Sequence, residues 1–467
     1  MRAPVSTNMS TNDMGWTPAS MEKKGKASTK DSGPRHHSRR DRHSSPSTSK
    51  SSKSVYIVGM SVIFPGGDTL EALWDTLNAM VPCPVDTPVL PEPASGNLFV
   101  GMHSEYKLPM RIPPAMDKDP FFRLTISLML RCLENAGKPA MSLKGSCCGV
   151  FWGGKPSPAV SESTAKYSTL LAQLLGWRGQ CNDSNSYCVS SHEALNLACS
   201  RTSSWAPAAM VVSLAGSITG DVPKKQFGDF RILSKLGKVQ PFGKTRDGTL
   251  PGEFGGAILL TKKECLPDFE RPFAYVCSTA MGVSAANMFR AHHPDDQVEV
   301  IERALTLAGI KASDISLVEA NSLGTKMGDE MEYKSLQRVF DSPAVTEERL
   351  PTSRVLLGTH APVMGHPLAA TGMLQVIKCV LSLQHHTLPP NILGYVMDPN
   401  NSFGPDSGVL LSEKPENIGD GAYASVHAYS ASGDIGHVIL KAYGKRKDGR
   451  PKRRSLSPGS RTPRDRD

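Results

Sequence analysis

Apolar positions along this chain fall into short runs separated by glycine, proline and polar clusters, and the runs alternate between strand-like and helical spacing. Val55-Tyr56-Ile57-Val58-Gly59-Met60 is a nearly unbroken apolar run ending at a glycine, the pattern of a buried strand. From Leu70 to Met80 the apolar residues recur at helical spacing. Leu124 to Ala136 predicts a second helix, stopped by Gly137. Cys148 to Gly154 predicts a strand running into a glycine turn, and Ser190 to Cys199 a helix just after Cys188. Two more buried strands are predicted at Ala208–Gly216 and Gly255–Leu260. The alternation continues with an amphipathic helix at Val298–Ala308, a strand at Ile315–Ala320 and a long apolar helix at Leu368–Gln384, ahead of Pro389-Pro390-Asn391. Val438–Ala442 closes the patterned body. Strands without a polar face, alternating with helices, predict an α/β protein whose sheets are covered on both sides.

The ends of the chain lack this pattern. Residues 1–53 and 444–467 are rich in Ser, Lys and Arg and poor in large apolar residues, so both are expected to be disordered. They also account for the charge. Of the formal +9, residues 1–54 carry +7 and residues 444–467 another +7, leaving the body at −5. The basic balance therefore does not make the core a nucleic-acid binder. Lys445-Arg446-Lys447 and Pro451-Lys452-Arg453-Arg454, followed by Ser-Pro and Thr-Pro steps, read as a solvated tail. A nuclear address or a phosphorylation-tuned tether is the alternative.

No apolar run of 18 residues is present, so no transmembrane helix is expected. The N-terminal stretch lacks the apolar segment of a secretory signal. The ten cysteines are therefore expected as free thiols in a reducing, cytoplasmic setting. Plastid import stays open, because the basic tail contains acids and lacks a clean transit pattern. Cys147-Cys148 show no zinc-ligand spacing and read as structural. The glycine-rich stretches form neither a P-loop nor a GxGxxG turn opening a helix, and no metal, nucleotide or flavin cofactor is implied.

Three segments carry candidate chemistry: Ser186-Tyr187-Cys188-Val189-Ser190-Ser191, Val318-Glu319-Ala320-Asn321-Ser322-Leu323-Gly324-Thr325, and Gly365-His366. A cysteine, a polar group and a histidine are what a thioester-handling acyltransferase brings together. Cys188 precedes a predicted helix, whose N-terminus would favour a thiolate and whose backbone N–H groups would favour an oxyanion.

These segments belong to a longer series. Val58-Gly59-Met60-Ser61 with Phe64-Pro65-Gly66-Gly67 opens it. Asp119-Pro120, Arg123-Leu124 and Leu133-Glu134-Asn135-Ala136-Gly137 follow. Cys188 with Ser190-Ser191 and Ala194-Leu195 comes next, then Pro241-Phe242, Asp247-Gly248 and Gly252-Glu253. Gly324-Thr325, Gly328-Asp329 and Glu332 precede Gly365-His366, Ala369-Ala370 and Gly372. Ile377-Lys378 and Pro389-Pro390-Asn391 close it. In this order they make residues 55–443 resemble a β-ketoacyl synthase, most like the ketosynthase domains of modular type I synthases. The resemblance implies a thiolase-like fold, five alternating αβαβα layers built from two related halves, here 54–262 and 263–443, usually as a homodimer.

It also implies roles. Cys188 would take the acyl group and His366 would be the second of the family's two histidines, which stabilise the enolate formed when a malonyl thioester loses carbon dioxide. The position of the first histidine holds Asn321. The family's lysine before the second histidine is replaced by Ala361, and its Gly-Phe-Gly gate maps onto Ser430-Ala431-Ser432 with Asp434-Ile435 after it. An asparagine amide can donate to an enolate oxygen but cannot exchange a proton near neutral pH. Chalcone synthase and its relatives pair Cys, His and Asn, with the Asn in the other position. The expected function is acyl transfer to Cys188 with slow decarboxylative condensation, in fatty-acid or polyketide synthesis. The alternatives are a ketosynthase that only passes chains on and a non-catalytic, chain-length-factor-like partner subunit. No carrier, reductase or acyltransferase motif flanks the body, so acyl carrier protein would act in trans, on a homodimer or on a heterodimer with another ketosynthase.

Overall fold

The computed structural model describes residues 55–81, 119–139, 141–155, 166–202, 206–215, 227–269, 271–285, 293–349, 354–391, 394–400, 403–404 and 406–443. The two terminal segments expected to be disordered, and Gly216, lie outside them.

The elements that build the site are β1 (Val55–Ile63), α1 (Leu70–Asn78), α2 (Pro120–Asn135), β2 (Gly149–Gly153), α3 (Tyr167–Leu174), β3 (Cys181–Ser184), α4 (Ser190–Arg201), β4 (Ala208–Ala215) and β5 (Phe254–Lys262). The second half repeats the alternation with β6 (Ala274–Val283), α5 (Pro294–Ala308), β7 (Ile315–Glu319), α6 (Lys326–Phe340), β8 (Val355–Gly358) and α7 (Thr371–His385). The short strands β9 (Thr387–Leu388), β10 (Val409–Leu410) and β11 (Glu416–Asn417) and the long β12 (Tyr423–Tyr429) and β13 (Asp434–Ala442) complete it.

Eleven strands pair in the order β10-β8-β7-β12-β13-β6-β1-β5-β4-β2-β3. The first half supplies β1 and β5-β4-β2-β3. The second supplies the rest, and the two halves join where β1 runs antiparallel to β6, Val55 opposite Val276. Helices α4 and α7 pack on each other and touch strands of both halves, α4 reaching β2, β4, β6 and β13, and α7 reaching β5, β12 and β13. Outside them, α2 and α3 cover the first-half strands, and α5 covers β6 and β13 with α6 against it. The layers are thus helix, sheet, helix, sheet, helix, the thiolase-like arrangement.

Local sequence explains the boundaries. Asp119 caps α2 by accepting the Phe121 N–H at 2.9 Å, and Pro120 occupies the first turn, so the helix starts four residues before the apolar period begins at Leu124. Every residue of α7 from Thr371 to Leu383 is buried, which is why its apolar character extends all round. The expected helix start at Leu368 is instead a separate 3₁₀ turn, Leu368–Ala370.

Candidate active site

Cys188 lies on a tight turn between β3 and α4. Tyr187 adopts φ 48°, a conformation that costs a non-glycine residue and is held by its surroundings. Ser190 does part of the holding: its hydroxyl accepts from the Ser186 N–H (2.9 Å) and donates to the Tyr187 carbonyl (2.6 Å). Ser186 hydrogen-bonds Glu193 from the other side. Ser191 and Ser213 both donate to the Ala369 carbonyl, tying α4 and β4 to the turn that follows His366. Cys188 itself sits in a 3₁₀ turn, Tyr187–Val189, ahead of the first α-helical residue, and is 6% exposed. Burial pushes its thiol up to about 12. The helix terminus expected to favour a thiolate does not outweigh that desolvation.

His366 reaches the sulfur from the other half of the chain. Its Nε2 is 2.9 Å from Cys188 Sγ, and its Nδ1 faces the Thr371 hydroxyl at 3.4 Å. The ring of Phe227 packs 5.8 Å away, centroid to centroid. The His366 main chain is bonded on both sides to one strap: its N–H donates to Leu250 O (2.8 Å) and its carbonyl accepts from Gly252 N (3.0 Å). Gly365 has φ 66°, and a Cβ there would come within 2.9 Å of Gly252 Cα, so the two backbones cross where only glycine fits. Burial lowers His366 to about 3, with His360 adding to the effect. The resting pair is therefore a thiol donating to a neutral imidazole.

Asn321 follows the end of β7, fully buried. Its N–H donates to Glu332 Oε1 (2.7 Å) and the next N–H, of Ser322, to Glu332 Oε2 (2.9 Å). Asp329, one turn earlier on α6, accepts from Phe242 N (2.8 Å) and Gly324 N (2.9 Å). Burial pushes these two carboxyls up, Asp329 to about 7 and Glu332 to about 8, against the pull of their backbone donors. They hold the 321–325 loop and do not reach the cysteine pair. The Asn321 side chain points toward Tyr429, donating from Nδ2 to its carbonyl at 3.4 Å.

A cavity of about 1120 Å³ has Cys188 in its lining. Tyr187, Phe227, Phe230, Leu323, Leu368, Tyr429, Ser430 and Ala431 form apolar or neutral wall, while Arg231, Lys235 and Lys326, all exposed, stand at its rim. A long apolar chain with a charged attachment fits this shape better than a compact polar substrate.

Residues 52–265 match the β-ketoacyl synthase N-terminal domain and residues 273–394 the β-ketoacyl synthase C-terminal domain. The chain belongs to the β-ketoacyl synthase family. Among its relatives is the mycoketide-CoA synthase of Mycobacterium tuberculosis, 29% identical over 84% of this chain and 10% of that protein. The polyketide synthase GfsA of Streptomyces halstedii is also 29% identical, over 83% of this chain and 6% of its own length. The chain thus spans a small part of these large relatives. The solved ketosynthase from module 6 of the bacillaene synthase of Bacillus subtilis superposes with a TM-score of 0.72 at 22% identity, covering 84% of this chain and 72% of that one. The oxazolomycin ketosynthase domain OzmH KS7 of Streptomyces albus gives 0.71 at 23% identity, covering 85% and 76%.

The three site residues expected from sequence are not equivalent. Cys188 and His366 meet directly. Asn321 hydrogen-bonds Glu332 and Tyr429, not the sulfur, and is not in the cavity lining. Ala361, where the resemblance leads one to expect a lysine, is fully buried. A cation does stand nearby on α7: Lys378 Nζ is 2.7 Å from Glu319 Oε2, and His360 Nδ1 is 3.1 Å from Oε1 of the same carboxylate. All three side chains are 0–2% exposed. Burial pushes Glu319 up, and Lys378 and His360 more than reverse it, leaving the carboxylate below its ordinary range. Lys378 and Glu319 both fall within the motif segments, but nothing in their spacing announces the contact. The described residues hold no group of three or more His, Cys, Asp or Glu placed for a metal ion, and no helix among them is long and apolar enough to cross a membrane.

Proposed function

We propose that this protein transfers acyl groups from a carrier thioester onto Cys188 and elongates them slowly. The observation that carries this is the 2.9 Å approach of His366 Nε2 to Cys188 Sγ in the lining of a largely apolar cavity. With the thiol high and the imidazole neutral, the nucleophile forms during attack and is not stored beforehand. Nε2 takes the thiol proton as the new S–C bond forms and the carbonyl electron pair moves onto oxygen. Collapse restores the carbonyl and breaks the donor C–S bond, and the departing thiolate takes the proton held on His366. The basic rim of Arg231, Lys235 and Lys326 supports a carrier protein with an acidic docking face and a phosphate-bearing arm.

Condensation asks more of the site. Carbon dioxide loss from a malonyl thioester builds an enolate, and position 321 holds an asparagine, outside the cavity lining, in place of the family's histidine. Removing a general acid or base costs about 10²–10⁴ in rate, which places elongation well behind acylation. The test is intact-protein mass after incubation with acyl-pantetheine thioesters of several chain lengths, beside Cys188→Ala. An adduct on the wild type that is absent from the variant supports transfer, and carbon dioxide release from malonyl-pantetheine then measures elongation. No adduct at any chain length would defeat the proposal and leave a carrier-binding partner subunit in its place.

A further inference from the structure

We propose that His360, through its bond to Glu319, is a positioning residue for His366: it fixes the turn that carries the base to Cys188. The inference rests on the acyl-transfer reading above and concerns a residue outside the cavity lining. Between the end of β8 and His366 the chain makes one helical turn, Ala361–Met364. The His360 carbonyl opens it, accepting from Val363 N (3.1 Å) and Met364 N (2.9 Å), and the Ala361 carbonyl accepts from Gly365 N (2.9 Å). Successive bonds of this kind make the turn stiff, so a shift at residue 360 is passed on to residue 366. The His360 ring is buried, with Nδ1 3.1 Å from Glu319 Oε1. Its other nitrogen, Nε2, is buried with no hydrogen-bond partner among the described residues. The Glu319 contact is thus the polar tether of this side chain. Burial keeps the ring below its ordinary value against the pull of Glu319, so it bonds as a neutral N–H donor.

The far end of the tether is fixed. Glu319 closes β7, and its second oxygen is held by Lys378 of α7 at 2.7 Å. Ala320 N donates to Gly358 O (3.0 Å), which joins the end of β7 to the chain just before His360. A Cβ at residue 358 would run into Glu319 Oε2, so glycine there lets the carboxylate lie across the start of the turn. One carboxylate therefore links the segment before His366 to the helix after it. The strap of Leu250 and Gly252 holds the exit of the turn, and Glu319 with His360 holds its entry, so the imidazole is located from two sides. Thr359 is held separately, its N–H donating to Asn391 Oδ1 at 2.9 Å, which keeps the entry folded when the tether is removed. No bond at His360 forms or breaks in the transfer step. The proton that moves is exchanged between Cys188, His366 and the leaving thiol.

The experiment is single-turnover acylation by an acyl-pantetheine thioester, read by intact mass, in wild type, His360→Leu and His360→Asn, each with and without His366→Ala. Leucine fills the space without a donor, whereas asparagine puts an amide N–H near the place of Nδ1. Misplacing a reacting group by about 1 Å can cost about 100-fold. His360→Leu is expected to acylate about 10- to 100-fold more slowly than wild type at unchanged half-saturation by the thioester, and His360→Asn to recover most of that loss. With His366→Ala there is no imidazole to place, so His360→Leu is expected to slow that background by less than about twofold. Acylation of His360→Leu at the wild-type rate would overturn this inference alone. So would His360→Asn as slow as His360→Leu, or an equal fall with and without His366, which marks general structural damage. Where circular dichroism shows His360→Leu unfolded, His360→Ala, which leaves Glu319 its Lys378 partner, carries the same comparisons. A wild type that is alkylated by iodoacetamide at Cys188 but takes no acyl group would overturn both the inference and the transfer reading.

Discussion

Replacing Lys378 by Met tests the buried charge chain beneath the site. Lys378 and Glu319 are 2% and 0% exposed and 2.7 Å apart. Methionine keeps most of the side-chain volume in α7 but removes the ammonium, leaving the carboxylate paired with His360 Nδ1 at 3.1 Å. Breaking a buried pair from one side costs about 3–5 kcal/mol. Unfolding entropy of about 2 cal/mol/K per residue gives a body of this size on the order of 0.8 kcal/mol/K, so the melting temperature is expected to fall by about 4–6 °C. The loss should be greatest at neutral pH and shrink as pH drops toward 5, because Glu319 without its cation escapes the penalty by taking up a proton. Glu319→Gln combined with Lys378→Met should recover most of the loss, since the pair is then neutralised together. The assay is thermal unfolding by circular dichroism at neutral and mildly acidic pH. A shift under about 1 °C for Lys378→Met, or a double variant as unstable as the single one, would refute the claim that the cation serves to compensate Glu319.

Two further predictions follow from the buried imidazoles. Because Cys188 sits at about 12 beside a neutral His366, its alkylation should climb steadily between pH 7 and 10 with no plateau; a plateau below pH 7 would indicate a preformed thiolate–imidazolium pair. Burial lowers His192 to about 4 from 6.5, so the unfolded chain binds its proton first: the stability this residue supports is complete above about pH 6.5 and is lost as pH falls toward 4. Asp329 and Glu332 pull the other way, so the useful quantity is a difference. Unfolding free energies from urea titration of wild type and His192→Leu should shift relative to each other by about 2–3 kcal/mol in disfavour of the wild type between pH 7 and 4.5, and parallel curves would contradict the assignment.

The legible and illegible parts of the fold differ in how their buried faces are made. β1, β4, β5 and α7 were readable because burial there is achieved with apolar residues in unbroken runs. β12 escaped pattern reading because two of its buried positions are Ser425 and His427. Their polarity is absorbed internally, Ser425 bonding His437 at 2.6 Å and His427 bonding Gln297 at 2.9 Å. α6 escaped for a similar reason: Asp329, Glu332 and Ser335 form much of its inner face and bond backbone groups that no periodicity reveals. In the site, Cys188, Asn321 and His366 stood out by motif. Which of them touch could not be read, because Asn321 and Tyr429 meet through strand pairing between β7 and β12 that brings residues over a hundred positions apart into register.

The crossing of Gly252 with Gly365 has a consequence for chimaeras. The His366 main chain donates to Leu250 and accepts from Gly252, residues on the far side of β5 in sequence. The imidazole's coordinates are therefore set by a strap that any exchange of the 365–366 segment alone would leave behind. Grafting a relative's histidine loop into this scaffold, or this loop into a relative, transplants one half of a fastener. The two segments form a single heritable unit, and recombination that separates them should yield folded proteins whose cysteine is intact and whose base is misplaced.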